Sequence, residues 1–141
     1  MKANLKHIVI LLSLLVVGCG RGQSGGDDKD SGNQPDGAPP KIEFEQVYYD
    51  FGNLQQGEQV SYIFEFTNTG GLPLMIKEAV ASCGCTVPRY DKQPIQPGKK
   101  GSVEVIFDSS GRRGNQYKSV ILKTNTPRGT VRLTIKANVI V

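Results

Sequence analysis

Tryptophan is absent from this chain, and histidine is nearly so. The 141 residues contain a single histidine, His7, which lies in an N-terminal segment that we expect to be removed. Histidine is the commonest general acid or base of enzymes. The sequence shows no paired carboxylates, no Ser-His-Asp set and no phosphate-binding glycine loop. The sequence therefore predicts a protein that is not an enzyme, with no catalytic residues and no cofactor.

A strong excess of charge of one sign is also lacking. The chain has 17 basic and 13 acidic residues, and the basic count falls to 15 if Lys2 and Lys6 are removed with the N-terminal segment. The basic residues are scattered, apart from Arg112-Arg113 in a Gly-rich stretch, so they form no stripe that would follow a phosphate backbone. We expect no nucleic acid partner.

No apolar run is long enough to span a membrane as a mature helix. The longest run covers about ten residues before Gly18, whereas a bilayer core of roughly 30 Å needs about 20. Because Lys2 and Lys6 precede this run, residues 1–18 are interpreted as a signal peptide.

The apolar run ends in Val16-Val17-Gly18-Cys19, which resembles the lipobox of bacterial lipoproteins. In that motif the chain is cleaved before the cysteine and the cysteine is acylated, so the resemblance implies that Cys19 carries palmitate and anchors the protein to a membrane. The alternative is an ordinary signal peptide, or an uncleaved anchor, with an incidental cysteine.

Residues 19–40 are interpreted as the lipidated cysteine followed by a flexible linker. The linker is rich in glycine, ends in Pro39-Pro40 and contains no large apolar residue after Cys19. Such a segment cannot bury enough surface to offset its chain entropy, so we expect it to be disordered. A flexible chain of this length would hold the following domain about 25 Å from the lipid on average.

From residue 41 to residue 141 apolar and polar residues alternate, as they do in β-strands with one buried face. The alternating apolar residues are Ile42 and Phe44; Val60, Tyr62, Phe64 and Phe66; Val103, Val105 and Phe107; and Val131, Leu133, Ile135, Ala137 and Val139. Residues 74–76 and 117–124 add two less regular strands, and turn signals such as Pro97-Gly98 separate the runs. The pattern predicts an all-β, immunoglobulin-like sandwich of about seven strands.

Because tryptophan is missing, the core of this sandwich must rest on other rings and on aliphatic side chains. The rings expected in the core are Phe44, Phe51, Tyr62, Phe64, Phe66 and Phe107. Asp50-Phe51-Gly52 is interpreted as a strand end with Phe51 in the core. The four tyrosines Tyr48, Tyr49, Tyr90 and Tyr117 could form an aromatic binding surface, although packing at the core or rim is the commoner explanation.

Several motifs of this domain resemble those of the domain-of-unknown-function family 1573. They are Asp50-Phe51-Gly52, Phe64-Glu65-Phe66-Thr67-Asn68-Thr69-Gly70, Pro73-Leu74, Ala81-Ser82-Cys83-Gly84-Cys85-Thr86, Pro94-Ile95-Gln96-Pro97-Gly98, Phe107-Asp108 and Thr124-Asn125. The resemblance covers roughly residues 47–141 and implies an exported bacterial protein, often a lipoprotein, with an immunoglobulin-like fold. The family has no established activity, so the resemblance leaves the function open.

Cys83 and Cys85 are the most chemically distinctive residues of the domain. If Cys19 carries lipid, these two form an even pair in an oxidising compartment, which favours a disulfide that locks a turn. In an extended strand their Cα atoms would lie about 6.6 Å apart, near the upper limit for a disulfide, and Gly84 could bend the chain to bring the sulfurs together. The alternatives are a redox-active pair and a soft-metal site for an ion such as Cu(I).

Taken together, these observations predict a lipid-anchored protein of the bacterial cell envelope, at the outer membrane and on either its periplasmic or its surface face. Its membrane partner is reached through the lipid anchor. A second partner is expected to be an envelope protein bound through a sheet edge or loops, as in strand addition. The alternative function is thiol redox chemistry or Cu(I) handling by Cys83 and Cys85.

Overall fold

The computed structural model describes residues 37–141, and the expected signal peptide, Cys19 and most of the expected linker lie outside them. Eight strands account for most of the described chain. They are β1 (Ile42–Phe44), β2 (Tyr48–Gln55), β3 (Gln59–Asn68), β4 (Ile76–Ala81), β5 (Thr86–Tyr90), β6 (Lys100–Asp108), β7 (Gly114–Thr124) and β8 (Thr130–Ile140). The prediction of an all-β sandwich is confirmed, with one strand more than the expected seven. No helix within residues 37–141 has the length and hydropathy to span a membrane.

The strands form two four-stranded sheets that pack face to face. One sheet has the order β1-β3-β6-β5 and the other has the order β2-β8-β7-β4. All pairings are antiparallel except that of β2 with β8. The edges are therefore β1 and β5 in the first sheet and β2 and β4 in the second. Two of the five crossings between the sheets join an edge strand to an edge strand, namely β1 to β2 and β4 to β5.

The core lies between the inner faces of the two sheets, where the alternating apolar residues of β3, β6, β7 and β8 meet. The buried hydrophobic residues are Leu54, Phe64, Phe66, Leu74, Ile76, Val103, Val105, Phe107, Val120, Leu122, Leu133, Ile135, Ala137 and Val139. Of the six rings expected in the core, Phe64, Phe66 and Phe107 are fully buried, whereas the other three are half-buried and pack against the cluster. Burial of this set is the main driving force for folding.

Two strands differ from the alternation pattern. β2 includes Asp50, which was expected at a strand end, and continues past it to Gln55. Gly52 has a φ of +70° and the register with β8 shifts between Asp50 and Asn53, which is the signature of a β-bulge. Tyr49 and Phe51 still follow the period of two, and the bulge after Phe51 shifts that period so that Leu54 is buried in the core. The expected strand 74–76 begins at Ile76 instead, because Leu74 forms only an isolated bridge with Ile95.

The geometry of the loops explains several of the motif residues. Lys99 N donates to the carbonyl oxygen of Gln96 and Gly98 has a φ of +73°, so Pro97-Gly98 forms the expected type II turn. The side-chain amide of Asn68, which is fully buried, donates to the carbonyl oxygens of Leu72 and Ile95 at 2.8 and 2.9 Å. These hydrogen bonds hold the loops that contain Leu72 and Ile95 against the end of β3.

Candidate functional site

The Cys83-Gly84-Cys85 segment lies at a corner of the sandwich. It connects β4 and β5, which are edge strands of opposite sheets. The chain is bent here, and the N–H of Thr86 donates to the carbonyl oxygen of Cys83 at 3.3 Å. The pair therefore lies on a turn between two sheets and not within one extended strand.

The turn brings the two cysteines together as the sequence analysis expected. The sulfur atoms of Cys83 and Cys85 are in contact, and their Cα atoms lie 5.3 Å apart. This Cα distance is shorter than that of an extended strand and within the range that a disulfide needs. Gly84 is exposed, and a Cβ built on it would meet nothing within 4 Å. Its backbone φ lies outside the left-handed region, so the bend does not depend on the special freedom of glycine.

Both ends of the corner are fixed by backbone hydrogen bonds. Ser82 N donates to the carbonyl oxygen of Ser119 at 2.8 Å, and Asp108 N donates to the carbonyl oxygen of Cys85 at 3.0 Å. The hydroxyl of Thr86, a buried residue, lies 3.6 Å from the sulfur of Cys83. These contacts attach the segment to β6 and β7, so the half-buried sulfurs are held in place between the two sheets.

Cations near the corner have partners of their own. Arg89 forms an ion pair with Glu104 at 3.8 Å, and the ammonium group of Lys92 lies 4.6 Å from the ring centroid of Tyr90. Burial, together with the charge of Arg112, lowers the pKa of Lys118. Within residues 37–141 the side-chain hydrogen-bond partner of both sulfurs is Thr86, so no hydrogen bond from a cation would activate a thiolate there.

The donor set at the corner is small for a metal. Within residues 37–141 no group of three or more histidine, cysteine or acidic side chains is arranged to hold an ion. A closed structural zinc site needs four ligands, and His7 and Cys19 lie outside the described residues. The soft-metal interpretation of Cys83 and Cys85 thus gains no further ligand from the described domain.

The four tyrosines do not form one surface. Tyr49 stacks on Tyr62 with ring centroids 3.7 Å apart, and Tyr90 is half-buried beside Lys92. Tyr48 and Tyr117 are exposed on the outer face of the second sheet, where β8 lies between them. Two of the four tyrosine rings are therefore exposed, and the other two are packed at the core or rim.

The four edge strands are short or interrupted, which limits uncontrolled pairing with other chains. β1 has three residues, β2 is bulged at Gly52, β4 shifts register between Ile76 and Glu78, and β5 contains Pro88. Proline in a strand is confined to edges and bulges because it has no N–H to donate. These features leave limited stretches of free edge, and their surroundings decide what each stretch can bind.

An apolar groove opens where the chain crosses from β1 to β2. It has a volume of about 440 Å³ and is lined by Pro40, Lys41, Ile42, Glu43, Phe44, Val47, Thr126, Pro127, Arg128 and Val131. A second depression adjoins it, sharing Val47, Arg128 and Val131 and adding Ile121, Thr130 and Arg132. No pattern in the sequence indicates this groove, because its walls come from two distant stretches, residues 40–47 and 126–131, and each stretch alone resembles ordinary strand or turn.

Comparison with protein families gives one match to the described domain. A family model described as a protein of unknown function (DUF1573) matches residues 42–139, which include nearly every residue of the two sheets. A comparison with curated proteins gives no match.

Several solved structures have a similar fold. A protein of unknown function from Porphyromonas gingivalis is 22% identical with a TM-score of 0.62, and the match covers 70% of this chain and 46% of that one. The ASH/PapD-like domain 7 of human CEP192 is 13% identical with a TM-score of 0.56, over 72% of this chain and 87% of that one. The VesB protease of Vibrio cholerae is 19% identical with a TM-score of 0.55, over 71% of this chain and 32% of that one.

These likenesses concern the fold. The identities are low, and domains of this architecture serve many functions, so function has to be argued from the site. This chain spans less than half of the length of the Porphyromonas gingivalis protein and about a third of the protease. The domain is thus a two-sheet sandwich similar to PapD-like and immunoglobulin-like domains.

Proposed function

The chain belongs to the DUF1573 family, and on that premise we propose that it is a non-enzymatic, lipid-anchored protein of the bacterial cell envelope whose sandwich domain binds another envelope protein. The observation that carries this proposal is the set of free sheet edges. Each of the four edge strands has one side without a neighbouring strand within residues 37–141, and such a side can accept an extended segment of a partner.

Exposed apolar side chains at these edges support the same proposal. Val47 beside the groove, Val80 on β4 and Val87 on β5 have 45%, 42% and 49% of their surface exposed. Apolar side chains beside unpaired backbone groups combine the two contributions that strand addition uses, which are main-chain hydrogen bonds and side-chain burial.

Site-specific photo-crosslinking tests the proposal. A photoreactive amino acid is placed singly at Val47, Val80 or Val87 of the full chain, expressed in its own envelope, and at Ile63 as the control. Ile63 has a comparable exposure of 53% but lies on the central strand β3. We expect a discrete adduct from at least one edge position and none from Ile63. Adducts from Ile63 alone, or from no position, would contradict a binding role at the edges.

The membrane anchor is the second part of the proposal. Cys19 is the acylated residue, and residues 20–36 connect it to the sandwich. The protein is thereby held at the outer membrane, on its periplasmic or surface face. Metabolic labelling with an alkyne analogue of palmitate should mark the wild type and leave Cys19→Ser unlabelled, and the variant should leave the membrane fraction. Labelling that persists in the variant would show that the anchor is elsewhere.

Thiol redox chemistry at Cys83 and Cys85 is the second candidate function, favoured by the proximity of the two sulfurs at an accessible corner. In such a reaction a partner dithiol would supply two electrons and two protons, giving two thiols here and a disulfide in the partner. The reduction potential and the Cu(I) affinity of the reduced full chain distinguish the candidates. A potential well below that of the known thiol oxidoreductases, with no tight copper binding, supports the binding role.

A further inference from the structure

We propose that the groove between β1 and the start of β8 binds an extended segment of a partner protein in which apolar and acidic residues alternate, and that this segment pairs with the free edge of β8. The inference rests on the proposed binding function and specifies its site and the chemistry of its ligand. It depends on the register of the strands, the direction of their backbone groups and the charges at the rim.

The first step is the free edge on β8. β2 begins to pair with β8 at Thr134, where Thr134 N donates to the carbonyl oxygen of Val47. Before that point the chain has crossed to the other sheet as β1, so residues 130–133 of β8 have no neighbour on this side within the described chain. This stretch is about 13 Å long at the usual rise of a strand.

The second step is the direction of the backbone groups on that edge. Thr124 N donates to the carbonyl oxygen of Gly129, and the pairs continue along β8, so residues 131 and 133 direct their N–H and C=O groups to β7. The groups of Thr130 and Arg132 therefore point to the uncovered side, as do those of Thr134. Thr130 and Arg132 can thus accept and donate the hydrogen bonds of one added strand.

The third step is the apolar space beside the edge. Ile42 and Phe44 face inward from β1, and Val131 faces inward from β8. All three line the groove together with Val47. An added strand directs alternate side chains to its two faces, so the side chains that point inward would lie among these four residues. The inward-pointing side chains of the added strand must therefore be apolar.

The fourth step is the charge at the rim. Arg132 is exposed on the outer face of the sheet, and Arg128 lines the groove. Neither arginine forms an ion pair within residues 37–141, although Arg132 donates to the hydroxyl of Ser119. Side chains that point outward from a strand on β8 would lie next to these arginines, so they should be acidic.

The competing edge in the groove is that of β1. Its Ile42 and Phe44 backbone groups also point away from β3, since Thr69 N donates to Lys41 O and Glu45 N donates to Glu65 O. A strand added there would place its outward side chains beside Glu43, whose charge is paired with Lys41 at 3.6 Å, so acidic residues would meet no unpaired cation. The chain's own residues 20–36 carry acidic groups but no large apolar side chain, so they cannot fill the groove.

Peptide binding to the full chain in detergent tests the site. The probe is a fluorescein-labelled nonapeptide that alternates valine with glutamate, and the matched control alternates valine with lysine. We expect the glutamate peptide to bind at least tenfold more tightly, with amide shifts in the NMR spectrum at Val47, Thr130 and Arg132. The peptide is also N-methylated either at all valines or at all glutamates. One of these two peptides should lose binding and the other should keep it, because the N–H groups of only one set face β8.

Variants at exposed positions separate this site from the other edges. Arg128→Glu, Arg132→Glu and Val47→Asp should each weaken binding of the glutamate peptide at least tenfold. Arg113→Glu and Ile63→Asp, which change exposed residues away from the groove, should leave it unchanged. Equal binding of the two peptides, or no binding at millimolar concentration, would overturn the inference.

Two further outcomes identify a different occupant or site. Concentration-dependent dimers of the full chain that Val47→Asp dissociates would assign the groove to a second copy, which also overturns the inference. Crosslinked adducts from Val80 or Val87 but not from Val47 would leave the binding function standing and refute only this site. Failure of the site and failure of the proposed function are thus distinguishable.

Discussion

The backbone N–H of Asp108 donates a hydrogen bond to the carbonyl oxygen of Cys85 over 3.0 Å. This contact fixes the second cysteine of the pair to the end of β6 without using either sulfur. On the other side of the corner, the N–H of Ser82 donates to the carbonyl oxygen of Ser119 on β7. Backbone hydrogen bonds therefore attach the corner to both sheets. A bond between the sulfurs would therefore close a small loop whose two ends are already positioned.

We predict that Cys83 and Cys85 form an intramolecular disulfide in the exported protein. The expected stabilisation is modest, because closing so short a loop removes little entropy from the unfolded chain, about 1.6 kcal/mol by the loop-entropy relation. The double variant Cys83→Ser/Cys85→Ser should melt roughly 5–10 °C lower than the wild type. Mass spectrometry after alkylation should find no free thiol on these residues unless the protein is first reduced.

Reduction of the wild type provides the control for this prediction. Wild type treated with a phosphine reductant should melt at the temperature of the double serine variant, and the reductant should not affect the variant. Two alkylatable thiols in freshly exported protein would refute the disulfide. An unchanged melting temperature in the double variant would refute the stabilising role even if the bond is present.

Substitution of Gly70 should reduce the stability of the domain more than substitution of Gly84, although Gly84 is the glycine of the Cys-Gly-Cys motif. Gly84→Ala is expected to change the free energy of unfolding by less than about 1 kcal/mol, with a tendency to stabilise, because its Cβ meets no atom within 4 Å. Gly70→Ala would place a Cβ 2.3 Å from the carbonyl oxygen of Pro39, so we expect a loss of about 2 kcal/mol or more. Denaturant unfolding of the two variants measures the difference, and a larger loss for Gly84→Ala would contradict the geometry.

The two glycines of the β3–β4 loop illustrate where sequence reasoning reaches its limit. Gly70 and Gly71 lie in the loop of residues 68–73, where glycine commonly takes a positive φ, but neither of them adopts one. They are needed because the chain of residues 38–41 passes against them, with Gly71 N donating to the carbonyl oxygen of Ala38. The need for glycine is thus tertiary, and no local pattern in the sequence encodes it.

The strands show the same division between local and tertiary information. β3, β6 and β8 were predictable because one face of each is buried and the other is exposed, which imposes a period of two. β2 and β5 are edge strands. The bulge at Gly52 interrupts the period in β2, and in β5 the apolar Val87 is exposed whereas the polar Thr86 is buried, so the sequence does not show which face is buried. The close approach of Cys83 and Cys85 could be expected from their spacing, but the crossover that creates the groove depends on how β1 and β2 divide between the sheets.

Asn68 should be among the most sensitive polar residues of the domain. Its side chain accepts from Gly70 N at 3.0 Å and donates to two carbonyl oxygens, all in a fully buried position. Asn68→Ala would leave these groups without partners, at a cost of roughly 1–3 kcal/mol for each group that stays unsatisfied. We expect a total loss of about 3 kcal/mol or more in urea unfolding.

Asn53→Ala is the matched control for Asn68→Ala. Asn53 is exposed and its side-chain oxygen accepts one hydrogen bond, from Asn138 at 2.9 Å. Water can replace that bond, so the loss should stay within about 0.5 kcal/mol. Similar losses for the two variants would show that the buried network around Asn68 does not stabilise the loops as its geometry indicates.

The ion pair between Asp50 and Lys136 predicts a specific dependence of stability on pH. Its hydrogen bond of 2.8 Å from the ammonium group, with a second bond from Gly52 N, lowers the pKa of Asp50 below its usual 3.8, and the carboxylate raises the pKa of Lys136 above 10.5. A lowered carboxyl pKa stabilises the folded state above pH 3.8, and that contribution is lost as the pH falls through the folded pKa. A raised lysine pKa stabilises it below pH 10.5, and that contribution is lost as the pH rises through the folded pKa.

Asp50→Asn should therefore be less stable than the wild type between about pH 4 and 10, and the difference should shrink at both extremes. Guanidinium is itself a salt and would screen the pair, so urea unfolding across the pH range is the appropriate measurement. Lys136→Met should reproduce the effect, and adding Asp50→Asn to it should change little. The difference should also decrease in 1 M NaCl, since the pair is partly exposed. If the loss of unfolding free energy in Asp50→Asn stayed constant down to pH 2, the side chain of Asp50 would stabilise β2 through an interaction that does not depend on its charge.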